Sequence, residues 1–275
     1  VKLRKRARLI IAIHIGGVLL CTVAAFPITV HAATVKYVAH AGFLSNETMR
    51  TNTKEAFEAA GKAGFWGCEC DINEANHMVI VTAHDSEING KSLRSFSYKN
   101  VIKTINNRTD DKYRTKGAAT FGDFARACKK YKMVPVVEVK SGMTKAGIRK
   151  SVRFLHKTGV LSKRTVYLGF RNKPAEYAVY AKKYARQKYG VQIKAIVTIK
   201  NAKDTSKAKK FAKKYKMNGI CINDSQVNSK FYKNSKGLDR HAWVSGHQKM
   251  FTLAEIQQMR KYGIQTIILN GIPQK

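Results

Sequence analysis

The chain has 275 residues, 44% of them hydrophobic and only four of them proline, and it carries 52 Lys and Arg against 17 Asp and Glu, a formal net charge of +35. That length and apolar content support a globular protein with a real core, one large α/β domain in preference to two small ones. No Pro/Ser-rich tract or single-residue run marks a linker, so the chain after its N-terminus reads as one domain.

Residues 1–32 read as a leader. Lys2, Arg4, Lys5, Arg6 and Arg8 form a basic start, followed by the apolar run LIIAIHIGGVLLCTVAAFPITV and then HAAT. This is the layout of a secretory signal, with Val30 and Ala32 at the small-residue positions and cleavage expected after Ala32. The 22 residues from Leu9 to Val30 are also long enough for an uncleaved membrane anchor, against which His14 and Pro27 weigh. Bulky Leu20 before Cys21 does not fit a lipoprotein cysteine. In either case the domain, residues 33–275, is expected to be secreted or held at the cell surface.

The leader holds five of the positive charges and none of the negative, so the remainder still carries +30. Such a charge attracts polyanions and anionic membrane surfaces. In YAVYAKKYARQKYG, Tyr177, Tyr180 and Tyr184 fall at helical spacing, which predicts tyrosines toward the core and lysines toward water rather than an aromatic nucleic-acid platform. With an export signal, a teichoic-acid-like wall polymer or lipid headgroups are the expected partners, and nucleic acid is not. Cys68, Cys70, Cys128 and Cys221 form an even set that permits disulfides in an oxidising space, but they read better as buried thiols.

In chain order, VKYVAH reads as a buried strand, TNTKEAFEAAGKAG as a helix with a polar start and a Gly exit, and FWGCECDI as a second strand. MVIVTAHD is a short apolar run, read as an added strand in a loop. Helices at TFGDFARACKKYK, TKAGIRKSVRFLHKTG, NKPAEYAVYAKKYARQKYG, AKDTSKAKKFAKKYK and TLAEIQQMRKYG then alternate with strands. Without the added run, the strands number eight, near 35–40, 66–71, 134–139, 165–170, 192–199, 218–223, 241–245 and 265–269. Alternating short strands and helices predict a parallel sheet, and eight units in this length predict a closed (β/α)8 TIM barrel. An open doubly wound sheet is the alternative, but no glycine-rich nucleotide loop follows the first strand. In a barrel the chemistry sits at the C-terminal ends of the strands.

His40 ends the first strand, Glu69 and Asp71 the second, His84 the added run, and Glu138 and Lys140 the strand VPVVEVK. Alternation places Glu69 with Asp71, and Glu138 with Lys140, on common faces. Three carboxylates converging at a barrel mouth repel one another, and the remedy is a cation. All-oxygen ligation suits one hard divalent ion, Mg²⁺ or Ca²⁺. His77, His156, His241 and His247 have no acidic neighbours at such ends and read as surface or supporting residues; Asp123 reads as a helix-start residue.

These motifs resemble the glycerophosphodiester phosphodiesterases, whose barrel is shared with phospholipase D toxins. His40-Ala41-Gly42 is similar to the family's His-Arg-Gly, and Thr51-Asn52-Thr53 before Ala56-Phe57 to its Glu-Asn-Thr. Glu69-Cys70-Asp71 resembles its Glu-x-Asp, His84-Asp85 its His-Asp, and Glu138-Val139-Lys140 its Glu-x-Lys. Trp243-Val244-Ser245 and Leu269-Asn270 resemble its closing Trp-Thr-Val and Thr-Asp. The resemblance, from about residue 36 to 273, implies a metal-dependent phosphoric diester hydrolase of lipid metabolism that releases an alcohol and sn-glycerol 3-phosphate from glycerophosphodiesters. It implies His40 and His84 as the acid–base pair, Glu69, Asp71 and Glu138 as metal ligands, and Lys140, Asn52 and Trp243 on the substrate. Ala41, Thr51 and Asn270 depart from the pattern, removing an arginine and two carboxylates; Arg50 and Arg171 are candidates to replace the arginine. A phospholipase D-like headgroup hydrolase and a noncatalytic basic module binding anionic wall polymer are the alternatives.

Overall fold

A computed structural model of the chain describes residues 35–244 and 250–273. The expected leader, Ser245 and His247 lie outside the described residues, and among the described residues no helix is long and apolar enough to cross a membrane.

The chain runs β1 (Lys36–Ala39), α1 (Lys54–Lys62), β2 (Gly67–Ala75), β3 (Val79–Thr82), β4 (Glu87–Ile88), β5 (Lys91–Ser92), α2 (Tyr98–Asn106), β6 (Ala119–Thr120) and α3 (Phe121–Lys130). It continues through β7 (Val134–Val139), α4 (Lys145–Lys157), β8 (Val166–Phe170), α5 (Lys173–Tyr189), β9 (Lys194–Ile199) and α6 (Thr205–Lys214). It closes with β10 (Gly219–Asn223), α7 (Ser229–Asn234), β11 (Asp239–Trp243), α8 (Leu253–Lys261) and β12 (Thr266–Leu269). Strands β1, β2, β7, β8, β9, β10, β11 and β12 pair in that order, all parallel, and β1 closes on β12. The result is the expected closed eight-stranded barrel. The run MVIVTA is β3, an antiparallel strand hung on the extended end of β2, with Ile72 opposite Thr82.

Strand alternation divides the core into two layers. Val38, Val136, Leu168, Ile196, Cys221 and Ile268 fill the barrel interior, while Ala39, Cys68, Cys70 and Val137 face the helices. Cys68, Cys70, Cys128 and Cys221 are free, buried thiols whose pKa values burial pushes up, as their apolar surroundings require. On α5 the stripe against the barrel is Ala175, Ala178, Ala181 and Ala185; the expected inward tyrosines, Tyr177, Tyr180 and Tyr184, are only half-buried beside it. The alanines let the helix approach the sheet closely, which pushes the larger rings to its flanks. Asp123 does start α3, in a reciprocal cap with Thr120.

His241 is not at the surface. It lies inside the barrel on β11, two residues before Trp243 and 7% exposed, and its Nε2 has no hydrogen-bond partner. Burial, against Asp239 and alongside Lys194 and Lys36, pushes its pKa down to about 4, so the ring is neutral.

Candidate active site

A cavity of about 170 Å³ opens at the C-terminal ends of the barrel strands. His40, Glu69, Asp71, His84, Glu138, Lys140 and Trp243 line it, so seven of the eight sequence-derived site residues meet at one place. Leu168 and Ile268 contribute apolar surface beneath them, and Phe170 stands edge-on to Trp243 with centroids 6.0 Å apart. Thr198 and Cys221 also line the cavity; inward parity on β9 and β10 was the signal for both.

The eighth residue, Asn52, is fully buried and does not line the cavity. It stands behind Asp71: its Nδ2 donates to Asp71 Oδ2 at 2.8 Å, and the Asp71 backbone N–H donates to its Oδ1 at 3.1 Å. Asn52 adopts φ +57°, in the left-handed region that asparagine tolerates better than most residues, and its own N–H donates to Ala41 O at 2.7 Å. The β1–α1 loop is therefore folded back onto the carboxylate-bearing end of β2. Ala41, also at positive φ, contributes a backbone N–H to Glu69 Oε2 at 2.8 Å. Gly42, at φ +89°, packs on α1 where an added Cβ would come within 2.7 Å of Ala56 Cβ.

Glu69, Asp71 and Glu138 each offer an oxygen within 4.8 Å of the others, a cluster able to hold a metal ion. Burial, with the charges of Asp71 and Glu138, raises the Glu69 carboxyl well above its ordinary range, and burial raises Glu138 as well. Burial also opposes ionisation of Asp71, but Lys140, His84 and the hydrogen bonds from Lys140 and Asn52 outweigh it and hold that carboxyl low. Lys140 Nζ bridges Asp71 Oδ1 at 2.8 Å and Glu138, whose charges outweigh burial and raise its pKa. One lysine thus faces three carboxylates, and Glu69 Oε1 is buried without a hydrogen-bond partner. An orphaned carboxyl oxygen beside two more carboxyl groups is the donor set of a hard divalent cation, so these residues fit the group.

The two histidines sit in different environments. His40 Nδ1 lies 3.2 Å from Asn270 Oδ1. His84, its side chain 57% exposed, lies with Nδ1 2.9 Å from Asp85 Oδ1. The hydrogen bond to Asp85 is the main reason its pKa is raised; burial opposes it and Asp71 adds to it. Asp85 is correspondingly held down to about 2 by that bond, with help from Lys116, whose Nζ is 3.2 Å away. Lys116 comes from the segment between β5 and β6 and is a contact that no motif revealed. Neither candidate replacement arginine lines the cavity. Arg50 is spent on Asp111 and on the carbonyls of Lys116 and Arg108, tying down that same segment, and Arg171 is exposed.

No protein-family model matches the chain, and no curated protein matches it. Solved structures do. A glycerophosphodiester phosphodiesterase from Parabacteroides distasonis is 21% identical, with a TM-score of 0.61 over 86% of this chain and 93% of its own. One from Agrobacterium tumefaciens is 16% identical, with a TM-score of 0.59 over 86% and 97%. A phosphodiesterase from Oleispira antarctica, solved in complex with the product sn-glycerol-3-phosphate, is 14% identical, with a TM-score of 0.64 over 86% and 92%. The chain has the closed (β/α)8 barrel fold of these phosphodiesterases.

Proposed function

We propose that the chain is an exported, metal-dependent phosphoric diester hydrolase that cleaves glycerophosphodiesters to an alcohol and sn-glycerol 3-phosphate. The observation that carries this reading is the convergence of His40, His84, Glu69, Asp71, Glu138 and Lys140 on one cavity at the barrel mouth. The likeness of fold to glycerophosphodiester phosphodiesterases supports it, and the basic leader followed by an apolar run supports export.

Diester cleavage needs a base for the incoming oxygen and an acid for the departing alkoxide. Two imidazoles in one cavity meet both demands near neutral pH, and each has its Nδ1 within hydrogen-bond distance of a side-chain oxygen, of Asn270 for His40 and of Asp85 for His84. Mg²⁺ or Ca²⁺ held by Glu69, Asp71 and Glu138 would neutralise charge on the nonbridging phosphate oxygens. Lys140 bonds to the carboxylates and is placed to move its ammonium toward phosphate as substrate binds. The Trp243 indole N–H points to Ile199 O at 3.4 Å, so its ring serves as a wall with Phe170 against the glycerol or the leaving alcohol.

The test is release of sn-glycerol 3-phosphate from glycerophosphocholine by the purified domain, with EDTA, Mg²⁺ and Ca²⁺ compared side by side. Release abolished by EDTA and restored by one ion supports the proposal and identifies the ion. No release from this or other glycerophosphodiesters under any condition overturns it.

A further inference from the structure

The strongest concentration of charge lies away from the catalytic cavity. Between residues 173 and 216, spanning α5 to just past α6, there are fourteen Lys and Arg and only two acids, Glu176 and Asp204. Glu176 accepts a hydrogen bond from the Tyr215 hydroxyl at 3.1 Å. Among the described residues, no ion pair engages a cation of α5 or α6.

Part of this surface is concave. A groove of about 580 Å³ between the C-terminal half of α5 and the turn that follows α6 is lined by Lys182, Lys183, Arg186 and Lys216, with the amides of Gln187 and Gln192, and no acid lines it. Lys182 is half-buried at its base, fixed by donation to Lys216 O at 2.8 Å and Asn218 Oδ1 at 2.9 Å. Burial and the neighbouring Arg186 both press its pKa down, the mark of a cation set beside cations with no carboxylate to balance it. Gln192 precedes β9 and Lys216 precedes β10, whereas Thr198 and Cys221, farther along those strands, line the catalytic cavity. The groove therefore opens near the opposite end of the barrel, roughly one strand length or 15–20 Å away.

We propose that this groove is a second binding site, for a linear polymer of phosphodiester-linked polyol units, which tethers the protein to polyanion while the catalytic cavity stays free. Several cations and amide donors lining one groove with no acid among them match the repeated phosphates of a flexible chain. Single-stranded nucleic acid calls for aromatic stacking platforms, and the one ring in the groove, Tyr215, is half-buried and committed to Glu176. A membrane surface calls for apolar side chains to insert, and the exposed large hydrophobic residues, such as Phe154, Tyr232 and Leu253, all lie outside α5 and α6. The location and charge of the site rest on the groove itself; the choice of a polyol phosphate rests on the proposed phosphodiesterase function.

The test measures binding of fluorescent poly(glycerol phosphate) at physiological salt, in EDTA so that turnover does not intervene. The double variant Lys183→Glu/Arg186→Glu is compared with Lys62→Glu/Lys129→Glu, which makes the same charge change on α1 and α3. The groove variant is expected to lose about tenfold or more in affinity and the control less than about threefold, with glycerophosphocholine turnover equal to wild type in both. Equal losses in the two variants, or native affinity in the groove variant, overturn the site. Tighter groove-dependent binding of single-stranded DNA or anionic phospholipid vesicles overturns the polymer. If the native protein turns over no diester yet binds polymer through the groove, the catalytic proposal falls and the binding site stands.

Discussion

Asn52 and Asp71 hold each other through two hydrogen bonds, side chain to side chain and backbone to side chain, across 19 residues of sequence. Asp71 also faces Lys140, so its two oxygens are oriented from opposite sides. Replacing Asn52 with alanine removes the inner support while leaving the cavity wall in place. Residues that orient metal ligands typically matter by about 10- to 100-fold. Asn52→Ala is expected to raise the metal concentration needed for half-maximal turnover by that order, whereas a residue touching substrate alone would raise KM at saturating metal.

His84 and Asp85 predict a pH effect. The hydrogen bond from His84 to Asp85 raises the His84 pKa, so removing the carboxylate lets that pKa fall. In Asp85→Asn the limb of the pH–rate profile that belongs to His84 moves to lower pH. His40→Ala and His84→Ala should each lower turnover by about 10²-fold or more, as loss of an acid or base does. An unchanged profile in Asp85→Asn would count against His84 as a proton carrier.

The carboxylate triad predicts opposed effects on stability and function. Burial first, and then the charges of Asp71 and Glu138, raise the Glu69 pKa in the metal-free protein, so its ionised form is costly there. Glu69→Gln should therefore raise the metal-free melting temperature. Wild type should gain about 2.7 kcal/mol when metal is present at a hundred times its Kd, and Glu69→Gln should lose most of that gain together with its activity. Thermal unfolding with and without EDTA reads both.

The barrel was legible in the sequence because buried parallel strands leave a period that needs no partner to be seen, and the acids at strand ends stood out against a basic chain. The roles within the site were less legible. Asn52 shares a motif with residues expected at substrate, but its burial behind Asp71 depends on a left-handed backbone turn that residue type alone does not specify. The segment from 86 to 117 hid a β4–β5 hairpin whose Asn89-Gly90 turn was a readable signal, both residues having positive φ. Helix α2 was obscured because only Val101 and Ile105 of its nine residues are buried. The neutral state of His241 was not legible, because it comes first from burial inside the barrel and then from Lys194 and Lys36 on other strands.

That interior histidine gives the last prediction. Its folded pKa is about 4 against an ordinary 6.5, so between those values the unfolded chain takes up a proton that the folded chain does not. Stability from this group is complete above about pH 6.5 and is lost as pH falls toward 4, amounting to about 3 kcal/mol over the window. Glu69 and Glu138 act with the opposite sign, because their raised pKa values favour the folded state as they protonate. The slope of the native protein alone is therefore a sum, and the difference from His241→Leu isolates the histidine. Leucine removes the titration and the unpaired Nε2 together, so the variant should match or exceed wild type at pH 7 and gain on it steadily as pH falls. Urea midpoints measured from pH 7 to 4.5 test this; parallel curves for the two proteins would mean that the ring is not held neutral inside the barrel.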